Sequence, residues 1–354
     1  MSGCGRANNR FRKLAHPCRV AALFSVATAL VSCGSFARVP DQSFLGGSYN
    51  WAFRNNYPHS DRLFNAFDYG HAILYERLLI DEKQPEIAAR DIEGREFTFI
   101  TTQLLVNPPR LPLEERAIGP TYTTLVPELS AVFAWAHMLH RQIYDVLADE
   151  KLDGTARDAR VGQLMRYYVS RPDIALSTRP KSMTLMEGAP YSLVFRRQNP
   201  KFNGLLWSYH WYQMVLYDGL LATDDRVGRH RNVDAATAHF WTLLADAPAH
   251  MPTTMPLAAA VAPRFSARYP DAAIVFDNLH SLHDVAADIL ASPLVASGDK
   301  RRVILQAIGT FRDSTTEVVS REEWRSMALE MGVDKMGGTA PTPVIAPAAR
   351  GDPR

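Results

Sequence analysis

Between about residue 60 and residue 335, apolar positions recur every three to four residues, the period of helices that bury one face. The pattern predicts a helix over 61–80 behind Ser60 as N-cap. It predicts a second over 127–150, with Pro127 at an early helical position where its missing N–H costs little. A shorter helix is expected over 156–169, a long one over 203–221 and another over 233–244. The fourth long helix begins after Pro270 and ends before Pro293. Helices over 300–311 and 322–331 close the domain, the last with Ser320 and Glu323 in capping-box spacing. Over 95–106 the signal is ambiguous, because Phe97 and Phe99 alternate as in a strand. Two proline-punctuated stretches, 171–200 and 247–263, read as long irregular connections, and loops of that length in a compact domain tend to be functional. The fold class is therefore mainly α: a multi-helix bundle with long irregular Pro-rich connections and little or no sheet.

The four long helices each carry histidine on or beside the apolar stripe. In the first, His71 lies among Leu63, Phe67, Leu74 and Leu78, with Asp68 at the edge of that arc. In the second, His140 lies inside the arc of Leu129, Val132, Phe133, Ile143 and Leu147, and His137 at its margin. His210 is bracketed by Leu206, Met214, Tyr217 and Leu221 in a helix that is apolar nearly all round. His283 borders the core side of the fourth helix, while Asp277, His280 and Asp284 fall on the opposite arc and read as a solvated face. Asp68/His71 and Asp277/His280 are Asp-x-x-His pairs, which put carboxylate and imidazole on one helical face. Helix bundles build internal metal sites from such pairs. The candidate ligands are Asp68, His71, His140, His210 and His283 around one interior volume. The arrangement is similar to that of ferritin-like di-iron bundles, but Asp stands for Glu and the four long helices have no Glu-x-x-His. The ion implied is Fe, Cu, Zn or Mn. A haem b held by two of the histidines is the alternative cofactor.

A bland reading stands beside this one. Tyr75, Tyr144, Tyr209, Tyr212 and Tyr217 lie close enough in sequence to make a buried His/Tyr/Asp network that only holds the bundle together. Trp207, Tyr209, Trp211 and Tyr212 around His210 read more readily as core than as a pocket lining. His250, Met251 and Met255 could form a soft copper site, although loop methionines packed on the core are the simpler account. Glu187, Arg196 and Arg197 could bind an anion, but solvated loop charges are the default reading.

Before the domain, Arg10, Arg12, Lys13 and Arg19 precede a hydrophobic run over 20–32, the order of a secretory signal. The run is shorter than the ~20 residues a membrane-spanning helix needs. Leu30-Val31-Ser32-Cys33 resembles a bacterial lipobox. The resemblance implies a lipoprotein whose lipidated Cys33 is the first mature residue, and Gly34 after it implies the outer membrane. An ordinary signal cut after Ala37 is the alternative. The chain then divides into a signal over 1–33, a tether over 34–59, a helical domain over 60–335 and a disordered tail over 336–354, rich in Pro, Ala and Gly.

Composition narrows the chemistry further. The three cysteines, Cys4, Cys18 and Cys33, lie in the leader or carry the lipid. The domain thus has no thiol nucleophile, no Cys-ligated metal and no disulfide. A net charge of +2, with no basic stripe, argues against nucleic acid. No G-x-S-x-G, H-E-x-x-H or Gly-rich phosphate loop is present. Two classes remain. One is an envelope lipoprotein, facing the periplasm, whose helical bundle binds a metal or haem and has a redox-related role. The other is a non-enzymatic, membrane-anchored scaffold with structural histidines and an envelope partner. The sequence names no reaction.

Overall fold

The computed structural model describes residues 51–112, 114–246 and 254–333. Cys33, the signal, most of the tether, His250, Met251 and the tail lie outside the described residues. Among the described residues, eight helices have ten or more residues: α1 Pro58–Ile80, α2 Pro127–Ala148, α3 Gly154–Val169, α4 Pro200–Leu221, α5 Arg226–Asp246, α6 Pro270–Ala291, α7 Lys300–Arg312 and α8 Arg321–Glu330. Among the described residues there is no strand, only an isolated antiparallel bridge between Lys181 and Val318. The protein is mainly α. No helix of the described residues is long and apolar enough to cross a membrane.

Proline opens each of the four central helices, at Pro58, Pro127, Pro200 and Pro270. Its fixed φ suits the first turn, and it needs no N–H partner there. This moves two starts earlier than the apolar pattern predicts. Ser60 is not a cap: it sits inside the first turn of α1 and its hydroxyl accepts a hydrogen bond from Tyr212 at 2.9 Å. Ser320 does cap α8, accepting from the Glu323 N–H at 3.0 Å. Chain assigned to the tether is packed from residue 52, since Phe53 and Tyr57 are buried and Phe53 stacks on Tyr144.

The ambiguous 95–106 stretch is helical, not a strand. It continues the helix Pro85–Asp91 through two π-helical turns, Ile92–Glu96 and Ile100–Leu104. Ile92, Ile100 and Leu104 are buried, while Phe99 is exposed. The wider π turns hold this four-residue spacing on one face, and the Phe97/Phe99 alternation is incidental to it.

The central helices close a ring. α1 and α2 each pack against both α4 and α6, with α3 outside α2, α5 along α4 and α7 along α6. α4 and α6 are buried on every face from Phe202 to Leu220 and from Ala272 to Leu290, except that Ser281 is only half-buried. Apolar burial at roughly 25 cal/mol per Å² drives this packing. The ring places the inner faces of α1, α2, α4 and α6 around one buried core, and six histidines, His71, His137, His140, His210, His280 and His283, lie in it or border it.

Candidate metal centre

His71 comes from α1, His210 from α4 and His283 from α6. A ring nitrogen of each lies within 4.8 Å of those of the other two, and all three residues are buried. His71 Nε2 and His210 Nε2 are 3.1 Å apart. Nitrogens bound at 2.0–2.1 Å to one tetrahedral ion are ~3.3 Å apart, so this pair already has the spacing of two ligands. A ring nitrogen of His283 lies within 4.8 Å of theirs, so a shift of that ring toward the pair completes a three-nitrogen set.

The other ring nitrogens fix which atom is offered. His71 Nδ1 is 3.0 Å from the Phe67 carbonyl, which only accepts, so the proton sits on Nδ1 and Nε2 presents its lone pair. A backbone carbonyl holding the distal N–H is the usual support of a metal-bound imidazole. His210 Nδ1 faces the Met255 sulfur at 2.7 Å. Neither ring nitrogen of His283 has a hydrogen-bond partner within the protein. A buried polar atom left so costs about 1–3 kcal/mol, a cost that a ligand on that atom removes.

Electrostatics keeps the set neutral. Burial lowers the His71 pKa to about 4, with His137 adding to the fall and Phe67 and Asp68 opposing it. His210 and His283 are held well below the ordinary imidazole value by burial, then by neighbouring imidazoles. Neutral imidazole is the form that binds metal. His210, in a helix apolar nearly all round, is thus a desolvated, neutral imidazole.

Two of the five predicted ligands do not join the triad. Asp68 turns outward: it accepts from Arg141 Nη2 at 2.9 Å and lies 3.5 Å from His137 Nδ1. The guanidinium outcompetes a neutral imidazole for a carboxylate near the surface. His140 sits farther along α2, where Nδ1 is 2.6 Å from the Tyr217 hydroxyl and its ring stacks on Phe276. Asp277 is also turned away, accepting from the Ala258 N–H at 2.8 Å and the Trp324 indole at 2.7 Å; burial raises its pKa to about 7.

The solvated face assigned to α6 is buried. Asp277, His280 and Asp284 are at most 5% exposed, and the His280 ring stacks on His210 at 4.1 Å. The signal was composition rather than period: α6 contains no Lys, Arg or Glu, the residues that ordinarily cover a solvated helix face. Arg196 is likewise not a solvated loop charge; it is buried and bound to Asp288. The aromatic cluster around His210 is core, with Trp207, Tyr209, Trp211 and Tyr212 all fully buried.

The triad rings leave no haem slot between them. A bis-imidazole haem needs a flat slot between its two axial rings. His71 and His283 stack on each other at 4.1 Å, and His71 and His210 are in direct nitrogen contact. Comparison of the chain with protein-family models, curated proteins and solved structures finds no match to any of them. The class is set by the fold and the site alone: an α-helical bundle with a buried three-histidine cluster that can hold a metal ion.

Proposed function

We propose that this protein is a membrane-anchored transition-metal protein of the bacterial envelope, with one ion held by His71, His210 and His283. The observation that carries the reading is the convergence of three neutral, buried imidazoles from three helices on one volume. Imidazole suits zinc, copper, iron and nickel, and the lack of a carboxylate in the set favours zinc or copper over manganese. Three protein nitrogens with a fourth position open is the pattern of catalytic rather than structural zinc. A bound ion would supply Lewis acidity, and copper or iron would add one-electron chemistry. The chain's own residues do the rest: Phe67 orients His71, Met255 faces the outer nitrogen of His210, and the aromatic shell of α4 excludes water. Anchoring follows from Leu30-Val31-Ser32-Cys33, with Gly34 directing the lipoprotein to the outer membrane, and an envelope protein as partner. Several acyl chains on Cys33 give a stable anchor, each buried methylene contributing about 0.8 kcal/mol.

Elemental analysis of the detergent-purified chain, before and after titration with zinc(II) or copper, tests the centre. A stoichiometric ion that His283→Gln abolishes is the expected result. A chain that takes up no ion under any of these conditions returns the protein to the second class, a scaffold with structural histidines. The His71–His210 hydrogen bond is the observation that favours that second reading. Labelled fatty acid tests the anchor separately: it should enter the wild type and not Cys33→Ala.

A further inference from the structure

The triad leaves part of the imidazole cluster unexplained. His140 and His280 are both fully enclosed, at 0% and 1% exposure. His140 Nε2 and both nitrogens of His280 have no hydrogen-bond partner within the protein. An ion on His71, His210 and His283 uses none of these three atoms. Each unsatisfied atom costs about 1–3 kcal/mol, so a core that keeps three of them beside an occupied triad is disfavoured without a second ligand.

The geometry points to a second metal position between His140 and His280, adjoining the first, so that the centre is dinuclear; this rests on the triad reading above. A ligating imidazole places its ring centre ~3.2 Å from the ion, so two rings sharing an ion lie ~5–6.4 Å apart. The His140 and His280 ring centres are 6.1 Å apart. That spacing gives a wide N–metal–N angle, which suits a d¹⁰ ion such as zinc(II) or copper(I) with few protein ligands.

His140 is already set in the ligating tautomer. Tyr217 has one hydroxyl proton and two partners, the His140 carbonyl at 2.9 Å and His140 Nδ1 at 2.6 Å. The carbonyl only accepts, so it takes the Tyr217 proton, and His140 Nδ1–H donates to the Tyr217 oxygen. The Nε2 lone pair is then the free end of the ring. Tyr217 is in turn fixed by stacking on Phe265 at 4.0 Å and on Tyr144 at 4.4 Å. It is a positioning residue, serving His140 as Phe67 serves His71. The two positions adjoin because His280 stacks on His210, a member of the triad, at 4.1 Å.

The test is zinc stoichiometry on the detergent-solubilised full chain, titrated with zinc(II) alone and read by elemental analysis after gel filtration. Wild type should hold two ions, and His280→Gln and His140→Gln one each. Tyr217→Phe keeps the ring and its stacking but releases His140. It should weaken only the second ion, about 10–100-fold. A wild type that saturates at one ion, still lost in His283→Gln, overturns the second position and leaves the triad standing. A wild type that takes no ion overturns both. Two ions retained in His280→Gln overturn it as well. If circular dichroism shows that the Gln variants do not fold, Tyr217→Phe decides: unchanged affinity for both ions ends the proposal.

Discussion

Buried polar side chains of helix α6, within little more than two turns, are satisfied in opposite ways. At Asp288 every side-chain oxygen is occupied: it accepts from the Leu193 and Phe195 N–H groups at 2.8 and 3.0 Å and from Arg196 Nε and Nη2 at 3.0 and 2.7 Å. This carboxylate holds a strained turn, since Leu193 has φ 66°. At His280 and His283, equally enclosed, no ring nitrogen has a partner. A completed network builds the fold. An incomplete one, kept at a cost in stability, marks the place where something else binds.

The two regions should answer acid in opposite directions, and this is the largest effect expected. The folded pKa of His71 is about 4, against about 6.5 unfolded. Between those values the unfolded chain binds a proton that the folded chain refuses, so stability falls as pH falls. For His71 alone the loss is ~3 kcal/mol across that window. His137, His140, His210, His280 and His283 are lowered too, by burial first, and add the same sign. Asp277, Asp284 and Asp288 are raised by burial and oppose it, because the folded state keeps their protons. Glu93, Asp145, Asp218 and Asp234 are raised by burial as well, so the imidazole share of the slope of denaturant midpoint against pH below about 6.5 is read by difference. His280→Leu or His283→Leu should flatten that slope. A slope unchanged in both variants would mean the imidazoles are not desolvated.

Next is removal of the completed network. Asp288→Ala takes from Arg196 its nearest carboxylate, leaving Asp284 at 3.9 Å and the Met186 carbonyl, and uncaps Leu193 and Phe195, so it should cost about 3 kcal/mol in urea unfolding. Zinc stoichiometry in whatever folds should be unchanged. A mild loss would mean that the Arg196 network is not what closes the 171–200 loop onto α6.

The incomplete region should behave conversely. His283→Leu replaces two unsatisfied nitrogens by apolar volume, and the metal-free protein should gain about 1–2 kcal/mol while losing its ion. The same substitution at a structural histidine would destabilise. Calorimetry of the metal-stripped pair reads the difference directly.

This contrast also explains what the sequence disclosed. Periodicity placed all four central helices and put His71, His210 and His283 on or beside inward stripes, because one buried face leaves a clear 3.6-residue signature. It failed for α6, where burial on all sides turns the apparent polar arc inward and brings in His280. It failed for Asp68 because a wheel shows which face a carboxylate shares and not which cation, here Arg141, competes for it. The Asp288–Arg196 network joins residues 92 positions apart, a pairing that local pattern cannot show.

The smallest predicted effect lies at the edge of the incomplete region. Met255 is the partner of the outer nitrogen of His210, with its sulfur at 2.7 Å. When an ion takes His210 Nε2, the ring proton must sit on Nδ1, where it can donate only to that sulfur. Met255→Leu keeps the volume, so folding should change by under about 1.5 kcal/mol. It removes the acceptor, however, and the distal partner of a ligating imidazole is commonly worth 10–100-fold in metal affinity. A thioether is a weak acceptor, which puts the expected loss near the lower figure, about tenfold. Competition against a chelator of known affinity measures it. Unchanged affinity would show that the sulfur only fills space and that His210 is oriented by its aromatic neighbours alone. A drop in stability without a drop in affinity would move Met255 to the completed side of the comparison, as part of the core rather than of the centre.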